Sequence, residues 1–452
     1  MTRRGTTTST APDGASLEAP EQPSYPPVDG GRDAWLVLTA ATMMESLIWG
    51  FPFAFGVFQE YYSRQELFAD SIHQLATIGT CATVSSILVE LKAARTDLFS
   101  SQGLMYLSAP IVYSTVRKVP RYRKAVCIVG FVVTIASLIG ASFASTFSQL
   151  LVLQGILYAL GGSLLYFPTI IYIDEWFSKR KGFAWGIIIA GGGASGIVIP
   201  FLMEWILDTW GFPTAFRVWS VIFTILTIPA LFYLKPRLYN NQFDADSNEN
   251  AWAFFKSPAF WIFSAGNLVQ SMGYFMPLLY LPSFAVAQGW PRMTGTIALA
   301  LCNAANVVGA ITVGWLADHY HITTAINFCA LGTMCAVFLF WSFAVYQPVV
   351  YVFAFTYGLF AGGVPATWSG CSNPIRRHYQ VEAGMIISLF TAVKGVGSLI
   401  SGPLSGVLVA SDSWKGRAEF AYGSGYGYLI IFSGITASFA ATGWVGKRLG
   451  LV

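Results

Sequence analysis

The chain has 452 residues, of which 55% are apolar and only 11% charged, and its mean hydropathy is +0.57. Soluble domains carry charge on about a quarter of their residues, so this composition excludes a water-soluble globular fold and indicates a polytopic membrane protein. The net charge of +4 is small, its cations sit in loops, and no basic stripe suggests nucleic-acid binding. A membrane span needs about 20 apolar residues, which leaves room for about a dozen.

Met1 to about Val28 is rich in Thr, Ser, Pro and Glu and lacks an apolar core, so a disordered cytoplasmic tail is expected, running to residue 33. It contains no h-region, and no cleaved signal peptide is expected. Apolar segments follow at Ala34 to Tyr61, in a split region from Ser71 to Tyr113, and at Lys124 to Phe143, Leu150 to Ile173, Gly182 to Leu207 and Pro213 to Leu234. Six more lie at Ala259 to Ala287, Thr294 to Ala317, Thr324 to Tyr346, Val349 to Trp368, Gly384 to Ala410 and Tyr426 to Val445. The expected fold is therefore all-α, with twelve transmembrane helices.

The polar connection Lys235 to Lys256 divides these into two six-helix bundles, 34–236 and 258–452, around a central loop at 237–257. Cations recur at alternate connections: Arg117, Lys118, Arg121, Arg123 and Lys124, then Lys179 to Lys181, then Arg376 and Arg377, then Lys447 and Arg448. The positive-inside rule then places both termini and the central loop in the cytoplasm. Weak internal repetition relates the halves. Tyr158-Ala-Leu-Gly-Gly before Pro168 resembles Tyr357-Gly-Leu-Phe-Ala-Gly-Gly before Pro365, and Gly50-Phe-Pro echoes Gly273-Tyr-Phe-Met-Pro. Two related bundles with a site between them form the architecture of many secondary transporters.

The second span is interrupted. Ser71 to Thr83 and Gly103 to Tyr113 together make one ordinary span, but Val84 to Gln102 between them holds Glu90, Lys92, Arg95 and Asp97. Each charge at mid-membrane would cost about 2.5 to 3.5 kcal/mol on insertion scales, so the stretch cannot sit inside a spanning helix. It reads as a retained intron, because its ends and interior can be encoded by donor, branch and acceptor sequences in the right order. A genuine insertion bulging from the bundle is the alternative.

Three polar residues lie inside apolar runs: Glu45 in the first span, Asn306 in the eighth and Lys394 in the eleventh. Intramembrane ionisable groups are costly and default to functional hypotheses, so these are candidate substrate contacts, against structural pairing or packing. Glu204, near the external end of the fifth span, reads as structural. Asp174, Glu175, Lys179, Arg180 and Lys181 stand at the cytoplasmic mouth, where charge pairs between bundles could gate it or could simply set topology. Gly191, Gly192 and Gly196, like Gly402 and Gly406, are candidates for close helix packing. The six cysteines lack paired spacing, and no zinc or other metal site is expected. The four histidines form no haem-binding pattern, and no phosphate loop supports ATP-driven pumping. No catalytic constellation or cofactor is expected.

The stretch Trp176-Phe-Ser-Lys-Arg-Lys-Gly-Phe-Ala-Trp-Gly-Ile-Ile-Ile-Ala-Gly resembles the second conserved motif of the monocarboxylate-porter family of the major facilitator superfamily. Asp29-Gly-Gly-Arg-Asp-Ala-Trp35 resembles its first motif, and Trp414-Lys-Gly-Arg-Ala-Glu-Phe is similar to fungal members. Gly314-Trp-Leu-Ala-Asp318 resembles the end of the superfamily's loop motif, which makes Asp318 a further gating candidate. The resemblance implies a twelve-helix alternating-access carrier. This chain departs from the proton-coupled members, however. Phe53 stands where they have a first-span lysine, Asn306 and Ala310 stand where they have an aspartate and an arginine, and Ser195 replaces a glycine. Phe53 thus joins the candidate substrate contacts, and short-monocarboxylate symport is disfavoured.

The expected function is efflux of a hydrophobic or weakly acidic small organic metabolite, with protons as candidate co-substrate. The cell membrane is the expected location, and a vacuolar or other internal membrane the alternative. Uptake of a monocarboxylate or vitamin-like nutrient is the second reading. A non-transporting sensor is the third, disfavoured by the few residues after Lys447.

Overall fold

The computed structural model describes residues 26–63, 101–237, 252–379 and 381–450, and every regular element among them is helical. In hydrocarbon each backbone N–H and C=O must be satisfied within its own segment, which helices alone do for single apolar runs. In chain order the helices are α1 (Arg32–Phe53), α2 (Phe55–Ser63), α3 (Ser101–Lys118), α4 (Arg123–Ala141), α5 (Tyr158–Trp176) and α6 (Lys181–Tyr233). They continue with α7 (Pro258–Ala287), α8 (Arg292–His319), α9 (Ile322–Cys335), α10 (Gln347–Ala361), α11 (Trp368–His378), α12 (Ala383–Ala410), α13 (Gly427–Ser438) and α14 (Thr442–Arg448). Among the described residues nine helical stretches are long and apolar enough to cross a membrane. Ser71 to Thr83 and residues 84–100 of the expected insertion lie outside the described residues.

Helix α6 contains two spans. Its 53 residues would reach about 80 Å if straight, against about 30 Å of hydrocarbon. The reversal falls at Gly211, whose φ of 78° and ψ of 173° an L side chain adopts only under strain, with Pro213 just beyond. Large apolar side chains such as Ile111, Phe143, Val198, Phe232 and Leu331 face outward, where acyl chains would cover them.

The start of the fold differs from the composition-based expectation. Residues 26–31, assigned to the tail, are docked on the body. Arg237 donates from Nε to the Pro26 carbonyl at 2.9 Å, and the Asp29 amide donates to the Trp176 carbonyl at 3.0 Å. Composition missed this because the contacts are made by backbone and one carboxylate and need no apolar core.

The halves carry equivalent internal bonds. Tyr158 on α5 donates to the Ile48 carbonyl of α1 at 2.9 Å, and Tyr357 on α10 donates to the Tyr274 carbonyl of α7 at 2.8 Å. A second correspondence escaped the sequence reading. Ser142-Phe-Ala and Ser342-Phe-Ala end equivalent helices, and the serine hydroxyls accept from Arg217 at 3.3 Å and Tyr422 at 2.8 Å.

Candidate functional site: a central cavity between the halves

Helices before and after residues 238–251 meet along two seams. The first limb of α6 lies on α8, and α3 lies on α12. Near the termini both seams are tight. A Cβ on Gly182 would stand 2.6 Å from the Gly314 carbonyl oxygen, and one on Gly186 would collide with the Ala310 carbonyl. Two carboxylates join the halves there. Asp318 accepts from the backbone amides of Gly182 and Phe183, both at 2.7 Å, so it caps the start of α6 from the opposite half. Glu382, just before α12, accepts from the Tyr113 hydroxyl at 2.9 Å and pairs with Arg117 Nε at 3.3 Å.

Away from the termini the seams part around a cavity of about 480 Å³. It is lined out to Asp208 and Thr296, near the far ends of the first α6 limb and of α8. Between cavity and termini the contacts above close the seams, so among the described residues the cavity extends only toward the side opposite the termini. Midway along the seam, Asn303 donates to the Gly196 carbonyl at 3.3 Å.

All four expected substrate contacts line this cavity: Glu45 and Phe53 from α1, Asn306 from α8 and Lys394 from α12. Lys394 is 6% exposed and Glu45 8%. The Lys394 ammonium lies 4.4 Å from the Tyr274 ring centroid, 5.6 Å from Phe275 and 5.8 Å from Trp368. Negative ring faces replace part of the hydration that burial removes, each by about 0.5–2 kcal/mol. Glu45 faces the Tyr166 hydroxyl and, across the cavity, the Lys394 charge. Among the described residues its Oε2 is buried without a hydrogen-bond donor, and the indole N–H groups of Trp49 and Trp185 lack acceptors. Asn306 packs its amide against Gly193 and Gly362, with Oδ1 unpartnered. Glu204, read as structural from sequence, lines the outer part of the cavity.

The gating candidates divide. Asp318 bridges the halves. Glu175 does not: it takes Arg123 Nη1 at 2.6 Å and the Arg237 amide at 3.1 Å, a buried anchor within one half. Asp174 and Lys181 touch at 2.6 Å between the end of α5 and the start of α6, again within one half and without a well-directed hydrogen bond. Lys179 and Arg180 act through their backbones, donating at 2.9 and 3.0 Å to Asp29, which also takes the Ser178 amide at 2.8 Å. Tyr113, Arg117 and Glu382 were missed, since Arg117 reads only as a topology charge and no motif marks Glu382.

Asp29 therefore straps the N-terminal segment to the turn that Asp318 holds from the other side. Burial works against its charge, but the amides of Arg180, Lys179 and Ser178 outweigh that cost and hold its pKa below the ordinary 3.8. A depressed folded-state pKa stabilises fully above the unfolded value and is lost as pH falls through the folded one. Hydrogen exchange at the 178–180 amides should thus be unchanged between about pH 5 and 8 after correction for intrinsic rates. Asp29→Ala should accelerate it throughout that range. Equal protection in the variant would contradict the strap.

The glycines also divide. A Cβ on Gly191 would stand 2.8 Å from the Thr42 carbonyl, so this residue packs against α1. Gly192 faces Glu45, and Gly196 faces Asn303. Gly402 lines the cavity. Gly406 has no atom of the described residues within 4 Å of where a Cβ would be, so among them the close packing expected of it has no partner. Spacing alone cannot tell which helix face meets a neighbour.

Residues 35–380 match the family model described as Major Facilitator Superfamily. The MFS-type transporter pynF of Aspergillus niger is 27% identical over 398 residues, covering 87% of this chain and 86% of the relative. The aspyridones efflux protein apdF of Emericella nidulans is 28% identical over 401 residues, covering 87% and 74%. A solved structure of the Escherichia coli fucose:proton symporter FucP superposes with a TM-score of 0.62 at 14% identity, covering 90% of this chain and 97% of that one.

Proposed function

The chain belongs to the Major Facilitator Superfamily, and from that premise we propose that it exports a hydrophobic or weakly acidic small organic metabolite by alternating access. It is a transporter and not an enzyme. One observation carries the reading: a cavity with two buried opposite charges opens away from the termini, while inter-half contacts seal it toward them. A cavity of about 480 Å³ lies in the range that encloses drug-sized ligands and is far larger than a short monocarboxylate needs. Relatives named as efflux proteins support the direction. The cations at Arg117, Lys118, Arg121 and Lys179 to Lys181 support cytoplasmic termini, so the cavity faces outward, across the plasma membrane.

Within the superfamily we place the chain with the monocarboxylate porters. Their two motif-like segments meet here, Asp29 on the amides of Ser178 to Arg180. A proton is the proposed co-substrate, held by Glu45 when the cargo is absent.

Deleting the gene in its own organism and comparing metabolites inside and outside the cell tests the direction. At least one hydrophobic product should accumulate inside. Unchanged partition of all such products, together with lost growth on a monocarboxylate, would establish uptake instead.

A further inference from the structure

Resting on the carrier reading above, we infer that the cargo is a flat organic acid that also carries an N–H donor, with its acid on Lys394 and its N–H on Glu45. The two charges sit on helices of opposite halves, each more than nine-tenths buried, and face one cavity. No ion pair within 4.0 Å joins them, and no other cation among the described residues lines the cavity. Among the described residues each buried charge thus lacks a counter-charge in contact, an arrangement that is costly unless something else completes it.

The unpaired polar atoms narrow the class. Glu45 Oε2 needs a donor, and so does Asn306 Oδ1, while the Trp49 and Trp185 indoles need acceptors. A purely apolar cargo would leave all of these unmatched, at about 1–3 kcal/mol each. A simple carboxylate would answer Lys394 but set its own charge against Glu45 in the same low-dielectric space. An N–H at the other end of the cargo turns that repulsion into a charge-assisted hydrogen bond. The walls set the shape. Trp49 and Tyr106 lie 4.6 Å apart on one side, and Tyr274 and Trp368 flank Lys394 on the other, which suits a conjugated body. Glu204 and Asp208 lie nearer the open mouth and compete for neither end.

The test is calorimetric titration of the full chain in nanodiscs with three probes of one shape. 4-Hydroxy-2-quinolone has both functions, 4-hydroxycoumarin replaces the N–H by oxygen, and 4-methoxy-2-quinolone lacks the acid. At a pH where both enols are ionised, the first should bind about tenfold or more tightly than either other probe. Glu45→Ala should abolish the preference over the coumarin while keeping the preference over the methoxy compound, and Lys394→Met should do the reverse. Equal binding of quinolone and coumarin by the unaltered protein, or no binding of any probe, overturns the inference even if both variants misfold. Counterflow of the quinolone in proteoliposomes separates the two claims. Selective binding without flux sinks the carrier reading alone, whereas flux of the methoxy compound without selectivity sinks the cargo inference alone.

Discussion

Gly186→Val will cut transport about tenfold or more while leaving the protein inserted and folded. A Cβ at that position meets the Ala310 backbone carbonyl across the seam between α6 and α8, and backbone cannot rotate away as a side chain can. Overpacking of this kind costs about 1–3 kcal/mol, and here the cost falls only on the state in which the terminal side is closed. A 1.4 kcal/mol bias is already a tenfold shift between conformations, so the variant should dwell with that side open. Gly358 is the control. Its Cβ would strike the Cys302 carbonyl, but α8 and α10 belong to the same half, so a valine there should lower expression and thermal stability in both states. If transport and stability fall together in both variants, the Gly186 contact is ordinary packing and not part of a moving seam.

Asp318→Asn should have the second-largest effect. The aspartate gives one carboxylate oxygen to each of two amides at the start of α6, where the helix dipole also favours negative charge. Asparagine keeps one acceptor and turns an NH₂ group toward the second amide. Charge-assisted bonds contribute about 1.5–3 kcal/mol, so closure of the terminal side should weaken about tenfold to a hundredfold. Accessibility of Ser114→Cys, a near-isosteric change at the neighbouring seam between α3 and α12, to a thiol reagent added from the terminal side should rise accordingly. Glu175→Gln, by contrast, should lower stability without changing that accessibility, because Glu175 bonds Arg123 and Arg237 within its own half. Equal accessibility in Asp318→Asn and the parent would remove Asp318 from the gate.

What could be read from sequence follows from how local the signal is. Glu45 and Lys394 stand out because an ion inside an apolar run is rare for energetic reasons, and both line the cavity. Asp318 was legible through a short motif. The second latch was not, because Glu382 sits in a polar turn and Arg117 in a cationic cluster, and only the pairing of α3 with α12 brings them together. The rings around Lys394 were hidden by abundance: with 16% aromatic residues, nothing marks Tyr274 or Trp368 among the lipid-facing ones. The gating set was over-read for a related reason. Charges adjacent in sequence at a helix boundary usually pair with each other, as Asp174 and Lys181 do, and only a charge matched in the other half can report on opening.

On the proposed mechanism the terminal-side seams open and close during each transport cycle. Ser114 Oγ and Met385 Sδ approach to 3.6 Å across the seam between α3 and α12. Ser114→Cys with Met385→Cys, in a background with the six native cysteines replaced, lets a short bifunctional methanethiosulfonate reagent bridge that seam, since a cysteine sulfur at 385 stops short of the methionine sulfur. Crosslinking should stop transport and reduction should restore it, while each single variant transports in both conditions. Transport at the reduced rate by the fully crosslinked protein would contradict the account.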